Sequence, residues 1–154
     1  MRDSLFHGKR IDNGEWVEGS LITTTAVQAK AYIVDSCCCT FDKVDCDGCA
    51  LFDWISAYEV DPETVGQFTG LTAKEKKIFE GDIGRYKQTD GAKRNGKPIT
   101  CIGKVVYNAK TASFAVESKD ETGCKYFDYF PIKDFEVIGN IHDNPELLEV
   151  NGDA

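Results

Sequence analysis

The stretch from Gly103 to Ile141 decides the fold class. It carries Gly103-Lys-Val-Val-Tyr107, Ser113-Phe-Ala-Val-Glu117, Lys125-Tyr-Phe-Asp-Tyr-Phe130 and Phe135-Glu-Val-Ile-Gly-Asn-Ile141, four short runs rich in β-branched and aromatic residues. Spacings of about ten residues between runs are the rhythm of an antiparallel sandwich or small barrel, whereas alternating β and α units need helix-length segments between strands. Phe114 and Val116 share one face, as do Phe127 and Tyr129, which is the period-two pattern of a strand.

Working outward, Asn13-Gly14 lies between Phe6–Ile11 and Trp16–Ile22, and Asn-Gly favours the positive φ of a type I′ turn, so an N-terminal hairpin is expected. Ala29–Val34 and Leu51–Ile55 read as strands, and the Cys- and Asp-rich stretch Asp35–Cys49 between them reads as a loop. In Val65-Gly-Gln-Phe-Thr-Gly-Leu71, two glycines alternate in phase with Phe68, as in a strand approached closely by a ring or another backbone. Ala73–Lys77 has good helix formers but is long enough for one helical turn only. Ile78-Phe-Glu-Gly-Asp-Ile83 reads as a corner where a strand bends into a barrel. Asn144-Pro-Glu-Leu-Leu-Glu149 reads as a short C-terminal helix capped by Asn144.

Taken in order, Val60–Leu71, Ile78–Ile83 and Phe135–Leu148, with Gly14-Glu-Trp-Val-Glu-Gly19 near the start, resemble the YopX family of phage and prophage proteins. The resemblance runs from about Leu5 to Leu148. It implies a β-rich fold with a small barrel-like core and an origin in a phage or prophage. It brings no established activity, substrate or catalytic residue. Relatives usually place an Asp, Asn and Gly turn where this chain has Ala73-Lys-Glu-Lys76, and clustered cysteines are not part of the family pattern.

With 154 residues the chain suits one domain, 1–154, with lobes expected at 1–60 and 61–149. No run reaches the roughly 18 apolar residues that span a bilayer, and the first residues lack the apolar core of a secretory signal. The protein is therefore expected in the cytoplasm of a bacterial host cell. A net charge of −8 disfavours nucleic acid, which is bound largely by neutralising phosphates with Lys and Arg. The charge is polarised, though. Arg85, Lys87, Lys93, Arg94, Lys97 and Lys104 face only Asp90 between residues 85 and 104, while seven acids face Lys43 between Asp42 and Glu63. Such runs are usually solvated loops; read functionally, they are complementary docking surfaces.

Seven cysteines, five of them at Cys37, Cys38, Cys39, Cys46 and Cys49, invite a metal reading. Cys46 and Cys49 have the spacing at which two sulfurs converge on zinc, and Cys37 or Cys39 could complete a site. No histidine accompanies them, adjacent cysteines on an extended segment face opposite ways, and an odd total argues against a disulfide framework. Reduced, metal-free thiols are the reading adopted. Cys101 and Cys124 lie in strand-like surroundings, where they act as small apolar residues.

Enzymatic signals are poor. His7 and His142 are the only histidines, and no nucleophile, phosphate-loop or dinucleotide pattern is present. His142 beside Asp143 reads as a turn, and Glu80 and Asp82 around Gly81 as a corner. No catalytic, cofactor-binding or metal residue is assigned, and no cofactor is expected. The function expected is that of an interaction protein binding an unidentified phage or host protein or assembling with itself. The alternative is a nucleic-acid-associated barrel using the 85–104 stretch with Tyr86 and Tyr107 as stacking groups. A zinc-stabilised binding module built on the cysteine cluster is the second alternative.

Overall fold

The computed structural model describes residues 4–25, 29–35, 41–44, 50–52, 57–89, 98–118, 124–126 and 132–149. The architecture is mainly β. Residues fall into two compact units, Met1–Gln67 and Phe68–Ala154. The described residues contain 3-10 turns at Pro62–Thr64, Ile132–Asp134 and Pro145–Leu148 and no longer helix.

In the first unit, β1 (Phe6–Lys9), β2 (Trp16–Thr23), β3 (Ala31–Val34) and β6 (Ala57–Val60) form an antiparallel ladder in the order β6-β3-β2-β1, and the start of β7 (Gly66–Ala73) pairs with β1. The ladder bends sharply because two glycines let strands approach. A Cβ on Gly19 would lie 2.0 Å from the Val34 carbonyl oxygen, and one on Gly8 would lie 2.9 Å from Val60 Cγ2. Curled in this way, the sheet brings the end of β1 back to β6 through one bridge, Arg10 to Val60, with the Ile11 N–H donating to the Glu59 carbonyl and the Asp61 N–H to the Lys9 carbonyl. That single bridge is not a ladder, so no closed barrel results. Ala31, Ile33 and Val60 are buried inside the curl with Phe6, Val17, Leu21 and Val65 against them.

In the second unit, β9 (Asp82–Thr89), β10 (Pro98–Asn108), β11 (Ser113–Ser118), β12 (Cys124–Tyr126) and β13 (Glu136–Asn140) make an open antiparallel sheet in the order β12-β11-β10-β9-β13. Strict alternation along β10 buries Cys101, Gly103 and Val105 on one face. Phe135 enters this core from the end of the Ile132–Asp134 turn. Its ring fills the space of a Cβ at Gly84, which would sit 1.9 Å from Cζ, and stacks on Tyr86 with centroids 6.4 Å apart. Ile78, Val105 and Val116 complete the cluster.

Several sequence expectations are corrected. The Asn13-Gly14 turn is not type I′: β1 and β2 meet at Lys9 and Trp16, leaving a six-residue loop in which Gly14 alone has positive φ and its N–H bonds to the Arg10 carbonyl. Asn13 instead spends its side-chain oxygen on the Glu15 N–H, an Asx turn that competes with the tighter hairpin. The Asp35–Cys49 stretch is not all loop, since β4 (Phe41–Val44) pairs with β5 (Ala50–Phe52). Of the 85–104 stretch, the described residues 85–89 and 98–104 are strand rather than loop, belonging to β9 and β10. Gly70 does not serve close approach: nothing lies within 4 Å of its missing Cβ, and its φ of +86° falls in a break of the β7 register between Phe68 and Thr72.

The Gly81 corner is a turn between β8 (Lys76–Phe79) and β9, which lie in different sheets, and it is held by the buried Asp82 carboxylate accepting from the Phe79 N–H at 2.8 Å. No barrel follows from it. The C-terminal helix is a lone 3-10 turn, too short for α geometry, and the Asn144 side chain makes no capping bond. Instead Asn144 lies against Gly139, whose Cβ would meet Asn144 Oδ1 at 2.6 Å.

Nor is Ala73–Lys77 helical. β7 and β8 form a hairpin with Ala73 opposite Lys76, and the two loop residues Lys74 (φ 48°) and Glu75 (φ 67°) both take the left-handed conformation a type I′ turn requires. A non-glycine pays about 1 kcal/mol there, more than the chain entropy that glycine adds to the unfolded state. Glu75→Gly should therefore stabilise the protein by about 0.5 kcal/mol in denaturant unfolding, and Glu75→Val should destabilise it by about 1 kcal/mol or more. Destabilisation by glycine, the helical behaviour, would contradict the hairpin.

Candidate functional site

Two surfaces gather the described side chains that chemistry can use. The first lies on the outer face of the first unit, where register sets a transverse row. Ile22 on β2 is opposite Tyr32 on β3, Tyr32 is opposite Glu59 on β6, and the bridge at Arg10 and Val60 places Ile11 opposite Glu59. Ile11 is 60% and Ile22 51% exposed, unusual for large aliphatic side chains. Lys30 Nζ lies 2.9 Å from Glu59 Oε1; that hydrogen bond first, then the charge of Glu59 and the nearby Tyr32, hold the ammonium above its ordinary range.

A cleft of about 330 Å³ borders the row, lined by Arg10, Ile11, Asp12, Ala57, Tyr58 and Glu59. Arg10 closes it. Its guanidinium sits 4.2 Å above the Tyr58 ring centroid, a cation–π contact, and its Nε donates to Asp12 Oδ1 at 2.9 Å. The hydrogen bond from Arg10 is the main cause that holds the Asp12 carboxyl below its usual range.

The second surface is a concavity of about 390 Å³ in the second unit. Arg85 and Lys87 point outward from β9 two residues apart, and Thr100 on β10 is opposite Lys87. Glu136 on β13 is opposite Arg85 and accepts from Arg85 Nη2 at 2.7 Å. Lys74, projected by the left-handed turn, reaches the other oxygen of Glu136 at 3.3 Å, and Lys133 and Asp134 come from the 3-10 turn. Glu136 is thus clamped by two cations. Hydrogen bonds from Arg85 first and Lys74 second hold its carboxyl below the ordinary range.

The family model described as YopX protein matches residues 6–149, nearly the whole chain. The chain belongs to the YopX family. No curated protein matches it.

In this YopX protein the residues singled out from sequence separate rather than converge. Cys37, Cys38, Cys39, Cys46 and Cys49 lie outside the described residues, as do Lys93, Arg94 and Lys97. Cys101 is buried in the second core, and Cys124 lies on β12. His7 is buried against Trp16, ring centroids 4.7 Å apart. His142 is exposed; its N–H and that of Asp143 donate to Asn140 Oδ1, while Asn140 Nδ2 donates to the Asp143 carboxylate, so this pair builds a turn. Asp82 is likewise spent on the corner. Tyr86 is 1% exposed and offers no face for stacking, a correction to its expected role, whereas Tyr107 is 47% exposed and packs edge-on against Phe114. No group of three His, Cys, Asp or Glu side chains able to hold a metal occurs among the described residues. Sequence reasoning missed Lys74, Lys133 and Glu136, because strand register and turn conformation bring them to Arg85.

The clamp has a titration signature. Because the folded pKa of Glu136 lies below its ordinary 4.5, the stabilisation it adds is present above that value and is lost as pH falls through the folded one. Side-chain carboxyl NMR should show Glu136 titrating below the ordinary range, and Arg85→Gln should move it upward. A Glu136 insensitive to that change would contradict the clamp.

Proposed function

We propose that this YopX protein is a phage- or prophage-encoded interaction protein, not an enzyme, and that it binds a protein partner through the outer face of its first unit. The observation that carries this reading is the row Ile22, Tyr32, Glu59 and Ile11, which leaves two aliphatic side chains more than half exposed, Ile22 on β2 and Ile11 in the loop after β1. Half-exposed isoleucines gain about 1 kcal/mol each when covered, and little is lost in ordering them, since Ile22 is held by the β2 ladder and Ile11 by its N–H bond to the Glu59 carbonyl. The same unit exposes the carboxylates Asp12, Glu15, Glu18 and Asp61, of which Asp12 lines the bordering cleft and Asp12 and Glu15 share Arg10. The complementary partner therefore presents an apolar centre with Lys and Arg at its rim. Phage or prophage origin rests on the family resemblance, and a cytoplasmic place in the bacterial host on composition; no helix among the described residues is long and apolar enough to cross a membrane.

The nucleic-acid reading is weaker. Tyr86 is buried, and the carboxylates Asp134 and Glu136 interrupt the basic surface around Arg85 and Lys87 that an extended backbone would follow.

The test is capture from lysogenic or infected cells with the wild-type protein and with Ile11→Asp, Ile22→Asp. Both positions are exposed, so the double variant should keep its unfolding midpoint yet lose its captured partner by at least about tenfold. If the captured species is a second copy, light scattering will show a wild-type oligomer that the variant turns into a monomer. Equal capture by both proteins would overturn the proposal.

A further inference from the structure

We infer that the concavity around Glu136 in the second unit is a binding site for a small phosphate monoester, a role beyond the protein binding proposed for the first unit. Its lining carries Lys74, Arg85, Lys87 and Lys133 against Asp134 and Glu136, four cations to two carboxylates, in a chain whose net charge is −8. An excess of two positive charges gathered in one hollow of an acidic protein favours an anion there over the rest of the surface. Lys74 and Arg85 are about half exposed even while they hold Glu136. Lys87 and Lys133 have no ion-pair partner among the described residues. The Thr100 side chain, opposite Lys87, adds a hydroxyl that can donate.

The arrangement selects the ligand by charge and by donors. A phosphate monoester carries about −1.5 to −2 near neutral pH and three acceptor oxygens, which matches the residual charge and the donors of Arg85, Lys87, Lys133 and Thr100. A single carboxylate supplies half that charge, and Glu136 already plays that part. A phosphodiester backbone spreads one charge per phosphate and is favoured by an extended basic track, whereas Asp134 and Glu136 bound this hollow with negative charge. Glu136 has a second role here: it holds Lys74 and Arg85 in place and at the same time weakens the site by competing for them.

Backbone and side-chain NMR of the full chain, titrated with inorganic phosphate, adenosine monophosphate and an oligonucleotide lacking terminal phosphates, tests the assignment. Millimolar phosphate and the mononucleotide should shift the signals of Arg85, Lys87 and Thr100. Lys87→Gln with Lys133→Gln should weaken binding of both by about tenfold or more, while Lys110→Gln, an exposed lysine on another turn, should leave it unchanged. Glu136→Gln, which keeps the shape and releases both cations, should tighten binding several-fold. Absence of shifts at these residues, indifference to the lysine substitutions, or tighter binding of the oligonucleotide than of the mononucleotide would each overturn the inference.

Discussion

The second unit depends on one contact, the Phe135 ring lying on Gly84. With no side chain at Gly84, the ring presses directly on the backbone of β9, reaches the Tyr86 ring and fills the centre of a core made by Ile78, Cys101, Val105 and Val116. An aromatic ring buries more apolar area than any aliphatic residue, so this contact supplies a large share of the local hydrophobic stabilisation. It also fixes geometry. β13 begins at the residue after Phe135 and pairs with β9 in the register Glu136 to Arg85, so seating the ring sets which side chains face each other on the opposite surface.

That opposite surface is therefore placed by the core, not by its own ion pairs. Arg85, Lys74 and Glu136 are each a third or more exposed, and pairs of that kind contribute little to stability. What they contribute is orientation: a charged cluster held in one arrangement by a strand, a turn and a carboxylate. In the first unit the same logic is carried by different atoms. Gly8 and Gly19 permit the curl, the curl brings Arg10 to Val60, and the bridge sets Ile11 beside Glu59 on the row that faces outward.

Much of the architecture was legible because it follows from period-two alternation and glycine placement. The β class and the runs at 103–107 and 113–117 come from that level, while the YopX resemblance comes from the ordered blocks Val60–Leu71, Ile78–Ile83 and Phe135–Leu148. Errors arose where local chemistry competes. Asn13-Gly14 does mark the β1–β2 hairpin, yet the Asn13 side chain bonds to the Glu15 amide and the connection is a longer loop than a type I′ turn. Lys74 and Glu75 have helical propensity, yet two paired strands force both into the left-handed region, because tertiary pairing outweighs a propensity worth tenths of a kcal/mol. The candidate sites were the least legible part. Tyr86 looks like a stacking group in a basic run and is in fact core, since alternation on β9 turns it inward while Arg85 and Lys87 face out. Glu136 sits 51 residues from Arg85, and only strand register connects them.

The central claim is that the Phe135 ring occupies the place of a side chain at Gly84, and a double-mutant cycle tests it most directly. A methyl group at Gly84 cannot coexist with the ring, so Gly84→Ala alone should cost about 2 kcal/mol or more, as overpacking in a closed core does. In a Phe135→Leu background the smaller side chain leaves room, and the same methyl should cost distinctly less, giving a coupling of about 1 kcal/mol or more between the two positions. If Gly84→Ala costs the same in both backgrounds, the ring does not hold β9, and the account of how this unit is built is wrong.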